Sequence, residues 1–115
     1  MSTQFALDLR LARRKAGYTQ GDAAHLLSSH QSFVSELEKG HRRPSLEQII
    51  ELSLIYGRSF ESLFGELLAE RQQVLKERLQ RLPDLGKSTA HTFNRASSLS
   101  RLKKRLANQL DHGNA

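Results

Sequence analysis

Polar side chains that can hydrogen-bond a nucleobase are concentrated just before the middle of the chain. Within two helical turns the sequence places Gln31, Ser32, Ser35 and Glu36. Val34 and Leu37 are apolar and three residues apart, so in a helix they face inward together and leave the polar set outside. A glutamine amide can bridge adenine N6 and N7, and a glutamate can accept from cytosine N4. The pattern therefore predicts a helix that can read base edges in the major groove.

A preceding helix is needed to hold such a reading helix in place. Thr19 is a good N-cap residue, and the acid Asp22 follows three residues later, where it can bond the first N–H groups. Ala23 and Ala24 are small and allow another helix to cross closely. A short turn follows at residues 27–29. Residues 19–40 are therefore predicted to form a helix-turn-helix, with residues 30–39 as its second, recognition helix.

The flanking segments also read as helices. One spans residues 3–16, with Leu7, Leu11 and Leu9 as its apolar face and Gly17 as its stop. Another follows Ser45, with an inner side predicted to comprise Leu46, Ile49, Ile50 and Leu52. A fifth follows Ser59. Alternating β-branched runs and hairpin turns are lacking, so the predicted fold class is all-α.

Composition excludes several classes of protein. The 115 residues carry a net charge of +6 and a pI near 10.2, which favours polyanionic partners. Cysteine is absent and the five histidines are scattered, so we expect no disulfide, metal site or cofactor. Neither a signal peptide nor a membrane-spanning run is expected. No nucleophile is placed beside a base, and the expected protein is a cytoplasmic non-enzyme.

At this point the sequence resembles the phage repressor and Cro, or XRE-like, helix-turn-helix family. The resemblance covers about residues 5–64. Its motifs are Thr19-Gln20, Ala24, Val34, Leu37 and Glu38-Lys39-Gly40, with Leu11, Arg13 and Gly17 upstream and Pro44-Ser45-Leu46 downstream. As a joint pattern these residues are specific, although each dipeptide alone is common.

The resemblance implies a five-helix lambda-repressor-like DNA-binding domain over residues 1–66, with double-stranded DNA as the partner. The implied base contacts are Gln20, Gln31, Ser32, Ser35 and Glu36. Backbone contacts are implied for the loop after the recognition helix, at Lys39, His41, Arg42 and Arg43. Arg13 and Glu38 resemble a structural pair that joins the first helix to the third.

Four positions depart from the family pattern. Ser28 stands where glycine is common, and Ser29 stands where an aliphatic residue is common. Gly21 replaces a helix former, and His30 is a weaker N-cap than serine or threonine. Two readings stay open nearby. Phe33 either touches a thymine methyl or packs on the domain, which we favour, and Glu36 is either a base reader or a solvated acid.

The last third reads as a helical extension, residues 67–112, followed by a frayed end at residues 113–115. Two leucine stripes are surplus to a five-helix core and are predicted to form a hairpin that dimerises. The dimerisation residues are Leu68, Leu75, Leu79, Leu82, Leu99, Leu102 and Leu106. The residues after residue 86 include six cationic side chains and one anionic side chain, a net charge of +5. This charge is either a solvated face, which we favour, or a basic arm on DNA.

The predicted function is that of a dimeric, sequence-specific transcriptional regulator, bacterial or phage-encoded, that represses from a palindromic operator. An alternative is the antitoxin of a toxin–antitoxin pair, with the C-terminal helices binding the toxin as a protein partner. A third hypothesis is an interaction adaptor that has kept the fold and lost DNA binding. No membrane association is expected under any of them.

Overall fold

The computed structural model describes residues 4–84, 86 and 89–113, without the side chains of His91 and residues 108–113. These described residues contain six α-helices and no strand, which confirms the predicted all-α class. The helices are α1 (Gln4–Ala16), α2 (Gln20–Leu26), α3 (Gln31–Glu38), α4 (Leu46–Tyr56), α5 (Phe60–Gln80) and α6 (Ala90–Gly113). Residue 3, where the first helix was predicted to begin, and residues 114–115 of the predicted frayed end lie outside them.

The predicted caps define where the helices begin and end. Thr19 Oγ1 accepts from the Asp22 amide at 3.0 Å, and the Asp22 carboxylate accepts from the Thr19 amide at 2.9 Å. These bonds lower the pKa of Asp22 from its usual value. Ser45 and Gln48 form the same reciprocal cap on α4. Gly57, in the left-handed conformation at φ +62°, ends α4.

The chain divides into two compact units between Leu68 and Ala69. In the first unit the core is formed by side chains from α1 to α5. Its buried members are Phe5, Ala6, Leu9, Ala12, Ala23, Ala24, Leu27, Val34, Leu52, Leu63 and Phe64. The rings of Phe5 and Phe64 stack with centroids 6.3 Å apart. Alanines on α1 and α2 thus surround an aromatic centre and permit close helix crossings.

Two predicted apolar faces are wrong in part. On α1, Leu9 is buried, but Leu7 and Leu11 are exposed; Phe5 and Ala12 take the inner positions. Phe5, Leu9 and Ala12 are spaced i, i+4 and i+7 and therefore share one face of α1. This face is buried because its aromatic ring removes more apolar area from water than a leucine side chain does.

On α4 the correction is similar. Leu52 is buried and Ile49 packs against the core as predicted, whereas Leu46 is 70% and Ile50 55% exposed. Ile55 and Tyr56 pack inward in their place. The inner stripe of α4 therefore runs through its second half, and the helix leaves an outer apolar stripe that also includes Leu54.

The second unit contains the end of α5 and α6. Leu106 is buried, Leu79, Leu99 and Leu102 are half-buried, and Leu75 and Leu82 are exposed. A groove of about 690 Å³ lies between the two helices and is lined by both leucine stripes. Leu68, the first residue of the predicted set, belongs to the other unit and is half-buried. None of the helices described is long and apolar enough to cross a membrane.

Candidate nucleic-acid interface

The predicted recognition helix, α3, is fixed to the domain by its apolar side. Val34 and Leu37 are 2% and 1% exposed. In the turn before α3, Ser28 adopts the left-handed conformation at φ +52°, which favours glycine. His30 occupies the N-cap in an extended conformation and makes no side-chain cap bond. Because α3 is buried through Val34 and Leu37, its opposite side lies outside the core.

An ion pair joins α1 to the end of α3. Arg13 Nε donates to Glu38 Oε2 at 2.7 Å and Nη2 donates to Oε1 at 3.0 Å. Arg13 Nη1 also donates to the Tyr18 carbonyl at 2.9 Å. The bond to Glu38 raises the pKa of Arg13, and the paired side chains are 11% and 4% exposed. Such a bidentate, nearly buried pair holds the two helices in one orientation.

The same carboxylate begins a chain of amides that leads to the start of α3. Gln20 Nε2 donates to Glu38 Oε1 at 3.2 Å, and Gln31 Nε2 donates to Gln20 Oε1 at 3.5 Å. Both glutamines are thus oriented by the protein. A side chain that is already ordered loses less conformational entropy when it binds a ligand.

Further along α3, Glu36 is paired with a residue of the following loop. Glu36 Oε2 accepts from Arg42 Nε at 2.8 Å, and the Arg42 guanidinium carbon lies 5.3 Å from the centre of the Phe33 ring. Phe33 is half-buried and Ser32 is exposed. The exposed side of α3 therefore presents Gln31, Ser32 and the Glu36–Arg42 pair.

Ser35 lies beside these residues, at the margin of a recess. Ser35 is half-buried and lines a recess of about 360 Å³ together with Gln20, Glu38 and Lys39. The predicted base-contacting residues thus occupy two neighbouring places. Gln31, Ser32 and Glu36 lie on the exposed side of α3, while Gln20 and Ser35 border the recess.

Sequence reasoning missed two arginines of this recess. Arg10 and Arg14 of α1 line it opposite Lys39, and both are exposed. They are four residues apart on one helix face, a signal that the sequence did contain. His41, Arg42 and Arg43 follow α3 in the loop and are exposed, and the two arginines add positive charge there. Among the described residues, no three metal-ligating side chains form a group that could hold an ion.

Comparison with known proteins agrees with this geometry. Residues 9–63 match the helix-turn-helix family model. A segment of 58 residues is 38% identical to the HTH-type transcriptional regulator ImmR of Bacillus subtilis (strain 168). That match covers 50% of this chain and 46% of the relative, so the chain spans about half the length of the relative. No solved structure matches the chain significantly.

The matched residues run from the second half of α1 to the start of α5 and contain α2, α3 and α4. The family motifs, the left-handed turn and the Arg13–Glu38 pair lie within them. The resemblance of residues 9–63 to helix-turn-helix proteins is therefore confirmed.

Proposed function

We propose that this protein is a DNA-binding transcriptional regulator that acts as a dimeric repressor on a palindromic operator. One observation carries the proposal. The outer side of α3 is polar, α3 is held by a buried inner side, and cations of α1 and of the following loop lie beside it. An eight-residue helix is about 12 Å long, and the major groove is about 12 Å wide.

The proposed contacts follow from where each side chain lies. Gln31, Ser32 and Glu36 would face base edges, with Gln20 supporting Gln31 from behind and contacting the DNA at the edge of the groove. Ser35 would lie at the inner margin of the reading face. Phosphate contacts are proposed for Lys39, His41 and Arg43, and the recess adds Arg10 and Arg14 to them. Arg42, for which the family resemblance implies a phosphate contact, lies on α3 beside Glu36 instead.

Dimerisation is proposed because one recognition helix reaches only a few base pairs. Two half-sites about one helical turn apart, read by a two-fold dimer, give the usual specific affinity. This proposal is supported by the exposed side chains of Leu75 and Leu82 and by the leucines that line the groove of the second unit. Repression would follow from covering the site that RNA polymerase uses.

Selection of bound duplexes from a random DNA pool tests DNA recognition directly. The wild-type chain is expected to select a defined sequence. On that sequence Gln31→Ala should lose about 1–3 kcal/mol of binding free energy and should discriminate less between bases at one base pair of each half-site. Gln73→Ala is the matched control, because Gln73 is exposed on α5 outside the interface.

Two results would contradict the proposal. Failure of the wild-type chain to enrich any sequence would remove sequence-specific recognition. Equal affinity of wild type and Gln31→Ala for every base-pair variant of a selected site would show that the reading face has been assigned to the wrong side of the domain.

A further inference from the structure

The guanidinium of Arg42 lies on the recognition helix, although its backbone belongs to the loop that follows. Its central carbon is 5.3 Å from the centre of the Phe33 ring, and its Nε is 2.8 Å from Glu36 Oε2. Phe33 and Glu36 are three residues apart on α3 and so share one face. The charge of Arg42 therefore sits on the same side of α3 as the proposed base readers.

These two contacts orient the guanidinium as well as holding it. The guanidinium carbon lies over the Phe33 ring, and the Glu36 carboxylate binds the group through Nε. Within the described residues Nη1 and Nη2 have no hydrogen-bond partner, so two parallel donors remain available. The Arg42 side chain is still 58% exposed.

Arg43, the next residue, provides a contrast. It is exposed, and its side chain makes no hydrogen bond or ion pair with the described part of the chain. An exposed cation without such contacts suits a phosphate, which needs charge more than orientation. Arg42 differs because it is oriented and because a carboxylate lies beside it.

We propose that Arg42 reads a guanine in the major groove, with Glu36 positioning it and Phe33 supporting it; this rests on the proposed function. The two free Nη donors match guanine O6 and N7, the pair of acceptors that arginine binds in a bidentate manner. The carboxylate of Glu36 would repel a phosphate at the same place, whereas the guanine edge is uncharged. The two neighbouring arginines thus have different roles, Arg42 in specificity and Arg43 in affinity.

The test uses the full chain and a duplex that it selects from a random-sequence pool, together with variants of that duplex changed at one base pair each. We expect a guanine at one fixed position of each half-site. Arg42→Ala should reduce the preference for that guanine roughly ten- to hundredfold and leave the other positions unchanged. Arg42→Lys, which keeps the charge without the fork, should lose the preference but retain more affinity.

Arg43→Ala is the matched control from the same loop. It should weaken binding to all duplexes alike and lower the slope of affinity against salt by about one. At Glu36, the glutamine variant keeps an acceptor for Arg42 Nε and should retain much of the guanine preference. Glu36→Ala should lose most of it, which a residue acting only on stability would not do.

The outcomes separate this inference from the function on which it rests. If the wild-type chain selects no sequence, the proposed function fails. If it selects a site, but Arg42→Ala weakens all duplexes equally, as Arg43→Ala does, Arg42 is a phosphate contact and the inference is overturned. A selected site without a guanine at a fixed position overturns it as well.

Discussion

At the scale of single residues, the domain uses the same glutamate–arginine chemistry in two different ways. The Arg13–Glu38 side chains are 11% and 4% exposed, whereas those of Arg42 and Glu36 are 58% and 45% exposed. Water screens the exposed pair, so it contributes little to the stability of the fold. The buried pair is committed to the fold, because neither ion can be left alone there.

This contrast predicts unequal effects on stability. Glu38→Ala should lower the free energy of unfolding by about 3 kcal/mol, since it leaves Arg13 without its partner and Gln20 without its acceptor. Glu36→Ala, the matched control, should change it by only about 0–1 kcal/mol. Urea unfolding followed by circular dichroism measures both, and equal losses would show that burial does not distinguish the two pairs.

Some of these residues could be identified from the sequence and others could not. The Arg13–Glu38 pair was expected from the family resemblance, and the two residues meet. The contact between Glu36 and Arg42 depends on the conformation of the loop, which no local pattern specifies. Arg10 and Arg14 were missed because two arginines on an exposed helix face are equally typical of ordinary solvated surface.

At the scale of elements, the helix caps could be predicted from the sequence, whereas the buried face of a helix could not. Thr19 and Ser45 cap their helices because hydroxyl groups at those positions bond the free amides locally, without help from the rest of the fold. The inner faces of α1 and α4 were partly misassigned because both helices carry apolar residues at helical spacing on two sides. Only the packing partner decides which side is buried.

The turn before α3 gives a prediction of its own. Ser28 adopts φ +52°, a conformation that is unfavourable for a residue with a Cβ. Ser28→Gly should therefore raise the free energy of unfolding by about 0.5–1 kcal/mol, after the greater freedom of glycine in the unfolded chain is allowed for.

A second left-handed position, where glycine is replaced by a residue with a Cβ, serves as the control. Gly17 has φ +85°, and Gly17→Ala should lower stability by about 1 kcal/mol for the same reason. Thermal unfolding of the two variants should shift the midpoint in opposite directions. A Ser28→Gly variant less stable than wild type would mean that the serine side chain stabilises the turn.

At the scale of the whole molecule, the proposed dimer must be formed by surface that the single chain leaves uncovered. In the second unit Leu75 and Leu82 are 44% and 45% exposed beside the groove between α5 and α6. Leu106 is already buried within the chain, so it supports the unit from inside. The sequence could show the leucine stripes, but it could not show which leucines are buried within the chain and which are exposed, because that depends on how α5 and α6 pack.

Charge substitution in the stripes tests dimerisation. A variant carrying Leu75→Glu and Leu82→Glu should sediment as a monomer at micromolar concentration and bind the selected duplex more weakly, since buried carboxylates oppose association. Leu54→Glu is the matched control, because Leu54 is 78% exposed on α4, outside the stripes. A wild-type chain that stays monomeric with and without DNA would refute the dimer.

The antitoxin hypothesis would instead be favoured by a small protein that copurifies with the wild-type chain and is lost from the Leu75→Glu and Leu82→Glu variant.

The central claim is that the outer side of α3 enters the major groove. Titration of the isotope-labelled chain with its selected duplex, followed by amide and side-chain NMR signals, tests this most directly. The account predicts that the largest shifts fall on Gln31, Ser32, Glu36 and the guanidinium of Arg42, with smaller shifts at Arg10 and Arg14. Shifts confined to α6, with the signals of α3 unchanged at saturation, would contradict it.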